Sequence, residues 1–210
     1  LLIRNHVRAL EVLDVTCHTD LFPIDSILRH GGSLRELRLR DYVGFRHDDD
    51  RCPTLRPEDV ALLGRGLPFV QTLELDMDAA LCCPSEFLEG VGAFPMLQAL
   101  ILHVQTLVRA SETDDVARDR DYEAAVQTFN LLLRQREKAN PNLPWKTIMI
   151  NVGGWRRVMT RRTGAEWRRM NAKGIFAERC FVLKRDEAGG FNVTEERCHD
   201  GSQYVSLSQL

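Results

Sequence analysis

The sequence predicts an α/β solenoid: a curved parallel sheet with short helices on its convex side, followed by a small α+β C-terminal cap. Three observations carry this. An apolar pattern recurs along residues 1–152, helix-like segments separate its copies, and after residue 152 the pattern gives way to a basic segment and a hairpin.

The recurring pattern is an apolar residue, two variable, an apolar, one variable, an apolar. It reads Leu10-x-x-Leu13-x-Val15, Leu34-x-x-Leu37-x-Leu39, Val70-x-x-Leu73-x-Leu75 and Leu97-x-x-Leu100-x-Leu102, with a weaker fifth copy at Trp145-x-x-Ile148-x-Ile150. This is the strand signature of a leucine-rich repeat. The spacings are 24, 36, 27 and 48 residues. The first and third fit a period of about 20–29 residues, and the other two require insertions. Two copies share an entrance, Leu67-Pro68-Phe69-Val70 and Phe94-Pro95-Met96-Leu97, each a turn feeding a strand.

Helices are expected between the strands. Pro23 to Arg29 places Ile24, Ile27 and Leu28 on one face. Pro57 to Leu63 opens on a proline with Glu58 and Asp59 in the first turn, where free amide N–H groups favour negative charge. Glu86 to Val91 follows Pro84, with Ser85 as its expected N-cap, and each of the three helices is expected to end near a glycine: Gly31, Gly64 and Gly92. A longer helix, about Tyr122 to Ala139, carries Ala125, Phe129, Leu132, Leu133 and Arg136 at helical spacing. Phe45 to Pro53 and residues 111–121 read as loops. In the cap, a helix is expected around Ala165 to Ala172, and Phe181-Val182-Leu183 and Phe191-Asn192-Val193 flank Ala188-Gly189-Gly190 as a hairpin. Tyr204 to Leu207 is a candidate last strand. Stacked units of this kind bury one apolar face each against their neighbours.

Composition excludes several classes. The 210 residues are 44% apolar and 28% charged, values of an ordinary folded chain rather than a disordered or fibrous one. No run reaches the 18 or so apolar residues of a membrane span. The net charge is −2, which gives little long-range attraction to nucleic acid. The charge is uneven: residues 1–105 carry 10 bases and 16 acids, residues 106–210 carry 18 and 14. Six cysteines without a CxxC spacing predict free thiols in a reducing compartment, hence a cytoplasmic or nuclear location.

In a strand array of this type, the residues between the apolar positions face the concave side. One row then reads Asp14, Arg38, Glu74, Ile101, Met149. The next reads Thr16, Arg40, Asp76, His103, Asn151, and on the other flank lie Val12, Glu36, Thr72, Ala99, Thr147. Arg beside carboxylate across strands is a common sheet-supporting pair, worth about 0.2–1 kcal/mol when exposed. A polar surface that ends in an apolar patch is also the anatomy of a protein-binding face. The expected contact residues are Asp14, Arg38, Arg40, Glu74, Asp76, Ile101, His103, Met149 and Asn151.

Catalytic and metal signatures are sparse, and the expectation is a non-enzyme with no cofactor and no metal. Nucleotide loops, the GxSxG elbow and HExxH are absent from the sequence. Asp14 with His18 and Asp20 is a conceivable acid–base pair of a hydrolase-like enzyme, and Asp76, Asp78, Cys82 and Cys83 a conceivable soft-metal set. The segment 155–173 interleaves Trp155 and Trp167 with Arg156, Arg157, Arg161, Arg162, Arg168 and Arg169, which makes a nucleic-acid-binding module the alternative reading.

The phrases LEVLDVTCHTDLFPIDSIL, SLRELRLRD, LPFVQTLELDMD, FPMLQALILHVQT and INVGGWRR together resemble the leucine-rich region of filamentous-fungal F-box-type proteins, over most of residues 10–157. The resemblance implies a non-catalytic protein–protein interaction module, recognising ubiquitylation substrates for an SCF-type ubiquitin ligase. It implies docking on the Skp1 adaptor through an F-box. No such leucine–proline helix precedes Leu10 here, so the F-box is expected in a parent protein.

Overall fold

A computed structural model describes residues 7–17, 23–41, 54–78, 82–104, 120–152, 179–185 and 190–196. They form a mixed α/β fold with a seven-stranded sheet. The chain runs β1 (Val12–Cys17), α1 (Ile24–Leu28), β2 (Glu36–Asp41), α2 (Pro57–Gly66), β3 (Thr72–Met77), α3 (Pro84–Gly92), β4 (Ala99–Val104), α4 (Arg120–Ala139), β5 (Thr147–Val152), β6 (Arg179–Arg185) and β7 (Phe191–Glu196). Strand order in the sheet is the order in the chain. The first five strands are parallel, whereas β6 adds to β5 antiparallel and β7 to β6 antiparallel.

The apolar trios set the register. Leu13 pairs with Leu37, Leu37 with Leu73, Leu73 with Leu100 and Leu100 with Ile148, so the middle apolar residues form one continuous row. Side chains alternate between faces along a strand, so the third residue of each trio joins the same face. That face and the helices enclose one core. Leu37, Leu73, Leu100 and Ile148 are fully buried there with Ile27 of α1, Val60 and Leu63 of α2, Phe87 and Val91 of α3 and Phe129 of α4. A second ladder runs just ahead of the strands. The N–H of Arg35 donates to Glu11 O, that of Gln71 to Arg35 O, that of Gln98 to Gln71 O and that of Lys146 to Gln98 O.

The two proline turns do what their composition suggests. Leu67, Val70, Phe94 and Leu97 are fully buried, while Phe69 and Met96 point outward. Arg35 lies with its Cζ 4.8 Å from the Phe69 ring centroid, a cation–π contact on the exposed ring.

The helices differ in detail from the sequence reading. Pro57 and Pro84 open α2 and α3 at a position whose N–H would have no helical partner. The residue before α3 is Cys83, and Ser85 falls inside the helix rather than capping it. α2 runs to Gly66 and so takes in Gly64, near which it was expected to end. The role of Gly64 is close approach: a Cβ there would lie 2.8 Å from the Cβ of Ala93, just after α3. Gly31 likewise lies where a Cβ would run into the carbonyl oxygen of Gly66. These contacts bring the helices as near to one another as their backbones allow. The C-terminal turn of α4 carries Arg136 and Lys138, and its first turn Asp121 and Glu123, as the helix dipole favours.

No helix among the described residues is long and apolar enough to cross a membrane. The loop at 45–53, the basic segment 155–173, Gly153-Gly154, the residues 188–189 of the hairpin turn, and the strand at 204–207 lie outside the described residues, as does most of the acidic loop at 111–121.

A buried polar network on the second face of the sheet

The face of the sheet away from the helices carries the rows read from the sequence. Asp14 pairs with Arg38, Arg38 with Glu74, Glu74 with Ile101 and Ile101 with Met149. Thr16 pairs with Arg40, Asp76 with His103 and His103 with Asn151. The antiparallel strand β6 extends both: Val182 lies opposite Met149 and Cys180 opposite Asn151. The sequence reading did not include these two. A hairpin can be recognised from its turn residues, but the register with which it docks on an earlier strand leaves no local signal.

Exposure overturns the expectation of a solvated polar face. Asp14 is exposed, but Glu74 is 0% exposed, Arg40 3%, Asp76 5% and Ile101 5%. All six residues of β3 are buried, on both faces of the sheet. The charges are therefore satisfied by one another. Arg40 donates from Nε to Asp76 Oδ1 at 2.8 Å and from Nη1 to Glu74 Oε1 at 3.4 Å. Arg38 Nη1 lies 3.9 Å from Glu74 Oε2 and its Nη2 donates to Glu36 Oε2 at 3.3 Å. Two guanidinium groups thus face two buried carboxylates, and the interior charge balances.

His103 closes the network on the β4 side. Its Nε2 lies 2.8 Å from Glu74 Oε1 and 2.8 Å from Arg40 Nη1, and its Nδ1 lies 3.4 Å from the side-chain amide of Asn151. With the proton on Nε2 the ring donates to Glu74; with it on Nδ1 the ring accepts from Arg40. An asparagine amide serves either tautomer, offering NH2 to a bare Nδ1 or oxygen to a protonated one. Burial pushes the imidazole below its ordinary value and Arg40 acts in the same direction, against the pull of Glu74 and Asp76. The neutral ring keeps the network in balance.

A histidine held neutral in the fold takes up a proton more readily when unfolded. Its contribution to stability is present above its ordinary value of about 6.5 and is lost as pH falls from there through the lower folded value. Urea unfolding between pH 8 and pH 5 is expected to show stability falling on the acid side, and His103→Gln to flatten that part of the slope. An unchanged slope in the variant would show that other groups set it.

The remaining sequence candidates fall only partly on the described residues. His18 and Asp20 lie outside the described residues, and Asp14 is an exposed side chain at the end of its row. Asp76 is bound to Arg40, while Cys82 Sγ donates to the Asp78 backbone carbonyl at 3.3 Å and Cys83 Sγ lies 3.1 Å from Ser85 Oγ. Among the described residues no group of three His, Cys, Asp or Glu side chains is placed to hold a metal ion. Searches for similar proteins returned no matching family model, curated protein or solved structure.

Proposed function

We propose that the chain is a leucine-rich-repeat array that acts as a non-catalytic protein-interaction module, recognising substrates for an SCF-type ubiquitin ligase within a longer parent protein. The observation that carries this reading is the register. Five consecutive parallel strands align their apolar trios in one row and turn chemically varied residues to the opposite face. An array of that kind supplies a rigid, extended surface whose specificity lies in the residues between the apolar positions. The likeness of the sequence to filamentous-fungal F-box-type proteins supports the ligase context, with Skp1 bound by an F-box of the parent.

Burial of the central rows moves the contact surface to the β1 end. There Val12 is 51% exposed beside Asp14 and Thr16, both exposed, and Glu36 is partly so. An exposed apolar side chain with acids around it is an anchor with a polar rim. Arg40, Glu74 and Asp76 act beneath it, holding the strands in place.

The test is affinity capture from filamentous-fungal lysate with the wild-type chain and with Val12→Arg/Asp14→Arg, read by quantitative mass spectrometry after circular dichroism shows both folded. A protein captured by the wild type and depleted about tenfold or more with the variant is expected, as for loss of an interface anchor. Identical captured sets would sink the β1-end surface, and a captured set free of any ubiquitin-ligase client would sink the ligase context.

A further inference from the structure

A cavity of about 440 Å³ lies where α4, the turn after it and the start of β7 meet. Its wall includes Leu133, Arg136, Pro141, Pro144, Trp145 and Phe191, with Glu137 the one acidic side chain among the described residues lining it. Arg136 is the unusual member. It follows Ala125, Phe129 and Leu132 along the buried stripe of α4 and is only 7% exposed. The guanidinium stacks on Trp145, its Cζ 4.5 Å from the ring centroid. Nη1 donates to the Pro95 carbonyl at a long 3.5 Å, and the buried Nη2 makes no hydrogen bond. No carboxylate of the described residues forms an ion pair with it. Burial alone pulls its pKa down.

An unpaired buried charge is expensive, and a leucine or methionine would continue the stripe without that penalty. Among the described residues nothing supplies the anion that would offset this cost. Arg136 is the single cation of the described residues lining the cavity, and Glu137 stands at the same wall, so a monoanion matches this pair better than a phosphate dianion. The prolines, Trp145 and the 39%-exposed Phe191 give the cavity an apolar lining, which suits an anion with apolar neighbours in its own chain.

We propose that this cavity receives an aspartate or glutamate side chain of a partner polypeptide, its carboxylate paired with Arg136 and an adjacent apolar side chain packed on Trp145 and Phe191. The site lies apart from the β1 end and does not depend on that surface being used.

The experiment follows the Trp145 indole N–H cross-peak of the 15N-labelled 210-residue chain. That N–H donates to the Leu132 carbonyl at 3.3 Å within the same wall. The probes are N-acetylated, C-amidated tripeptides X-Glu-Z, with X and Z each Leu, Phe or Pro, their X-Gln-Z counterparts, and 3-phenylpropionate as a free carboxylate. At least one glutamate peptide is expected to shift the peak saturably, with its glutamine counterpart about tenfold weaker or more, the discrimination of a charge-assisted pair. Arg136→Met is expected to abolish the shift while Tm stays level or rises. Should that variant not fold, Glu137→Lys changes only an exposed side chain at the cavity and is expected to tighten glutamate peptides several-fold at low salt. Equal binding of the glutamine peptides, binding retained in Arg136→Met, or affinity unmoved by Glu137→Lys would each overturn the proposal. So would the absence of a saturable shift with every peptide. A shift by 3-phenylpropionate as strong as by any peptide would replace it with a small-carboxylate site.

Discussion

Glu74→Leu is expected to destabilise the protein by about 3–5 kcal/mol in urea unfolding monitored by circular dichroism, the range for removing one partner of a buried charge pair. Glu74 is wholly inaccessible and meets Arg40, Arg38 and His103. Without it, Arg40 keeps only Asp76 and the part-buried Arg38 only the half-exposed Glu36, so positive charge beside His103 loses its central counter-ion. The physics is asymmetric. Replacing the three fully buried ions by apolar side chains leaves Arg38 with its remaining partner Glu36, so Arg40→Met/Glu74→Leu/Asp76→Leu is expected to recover most of the loss. Asp14→Asn, an exposed change in the same row, is expected to stay within about 0.5 kcal/mol. A single-variant loss below about 1 kcal/mol would mean that water reaches the network and screens it.

Phe94→Ala is expected to cost about 3–5 kcal/mol, the usual range for emptying a buried aromatic site. Phe94 is fully buried in the turn that enters β4, and its ring reaches the position a Cβ of Gly64 would occupy, at 3.0 Å. It thus fills the space that the glycine opens at the junction of α2 and α3. Met96, two residues on in the same turn, is 37% exposed. Met96→Ala is expected to cost less than about 1 kcal/mol, since little apolar area is returned to water. The pair separates burial from any effect of the turn itself. For a chain of this size the Phe94 loss corresponds to a fall in Tm of roughly 6–20 °C. Equal losses for the two variants would refute the role assigned to Phe94.

Much of the sheet was legible in the sequence because a period of two leaves little freedom. Once Leu37 and Leu39 face the core, Glu36, Arg38 and Arg40 must face the other way, and equal trios in neighbouring strands fix which residues lie opposite. The rows through Glu74 and through His103 are read correctly on that basis. Alternation says which face a residue takes, but not whether that face is covered. TLELDM looks like a half-solvated strand, yet every residue in it is buried. The clue available was chemical: acids at 74 and 76 stand opposite a basic strand on one side and a histidine on the other. Arg136 was legible as a stripe residue but not as a buried charge, because only the fold shows that no acid of the described residues pairs with it. The antiparallel seating of β6 was invisible for a different reason, since it joins residues about 30 positions apart with no shared pattern.

The reach of Arg40 has a consequence for cooperativity. Its guanidinium starts on β2, passes the acids of β3 and contacts His103 on β4. In a linear array that touches only adjacent units, each strand can come and go at the expense of its own two borders. A side chain that spans a neighbour ties next-nearest units together. The loss of β2 from one side then removes a partner from β4, and partial structures ending inside this stretch are penalised at both borders. The β2–β4 segment is expected to open as a block, with amide exchange in its three strands at a common free energy.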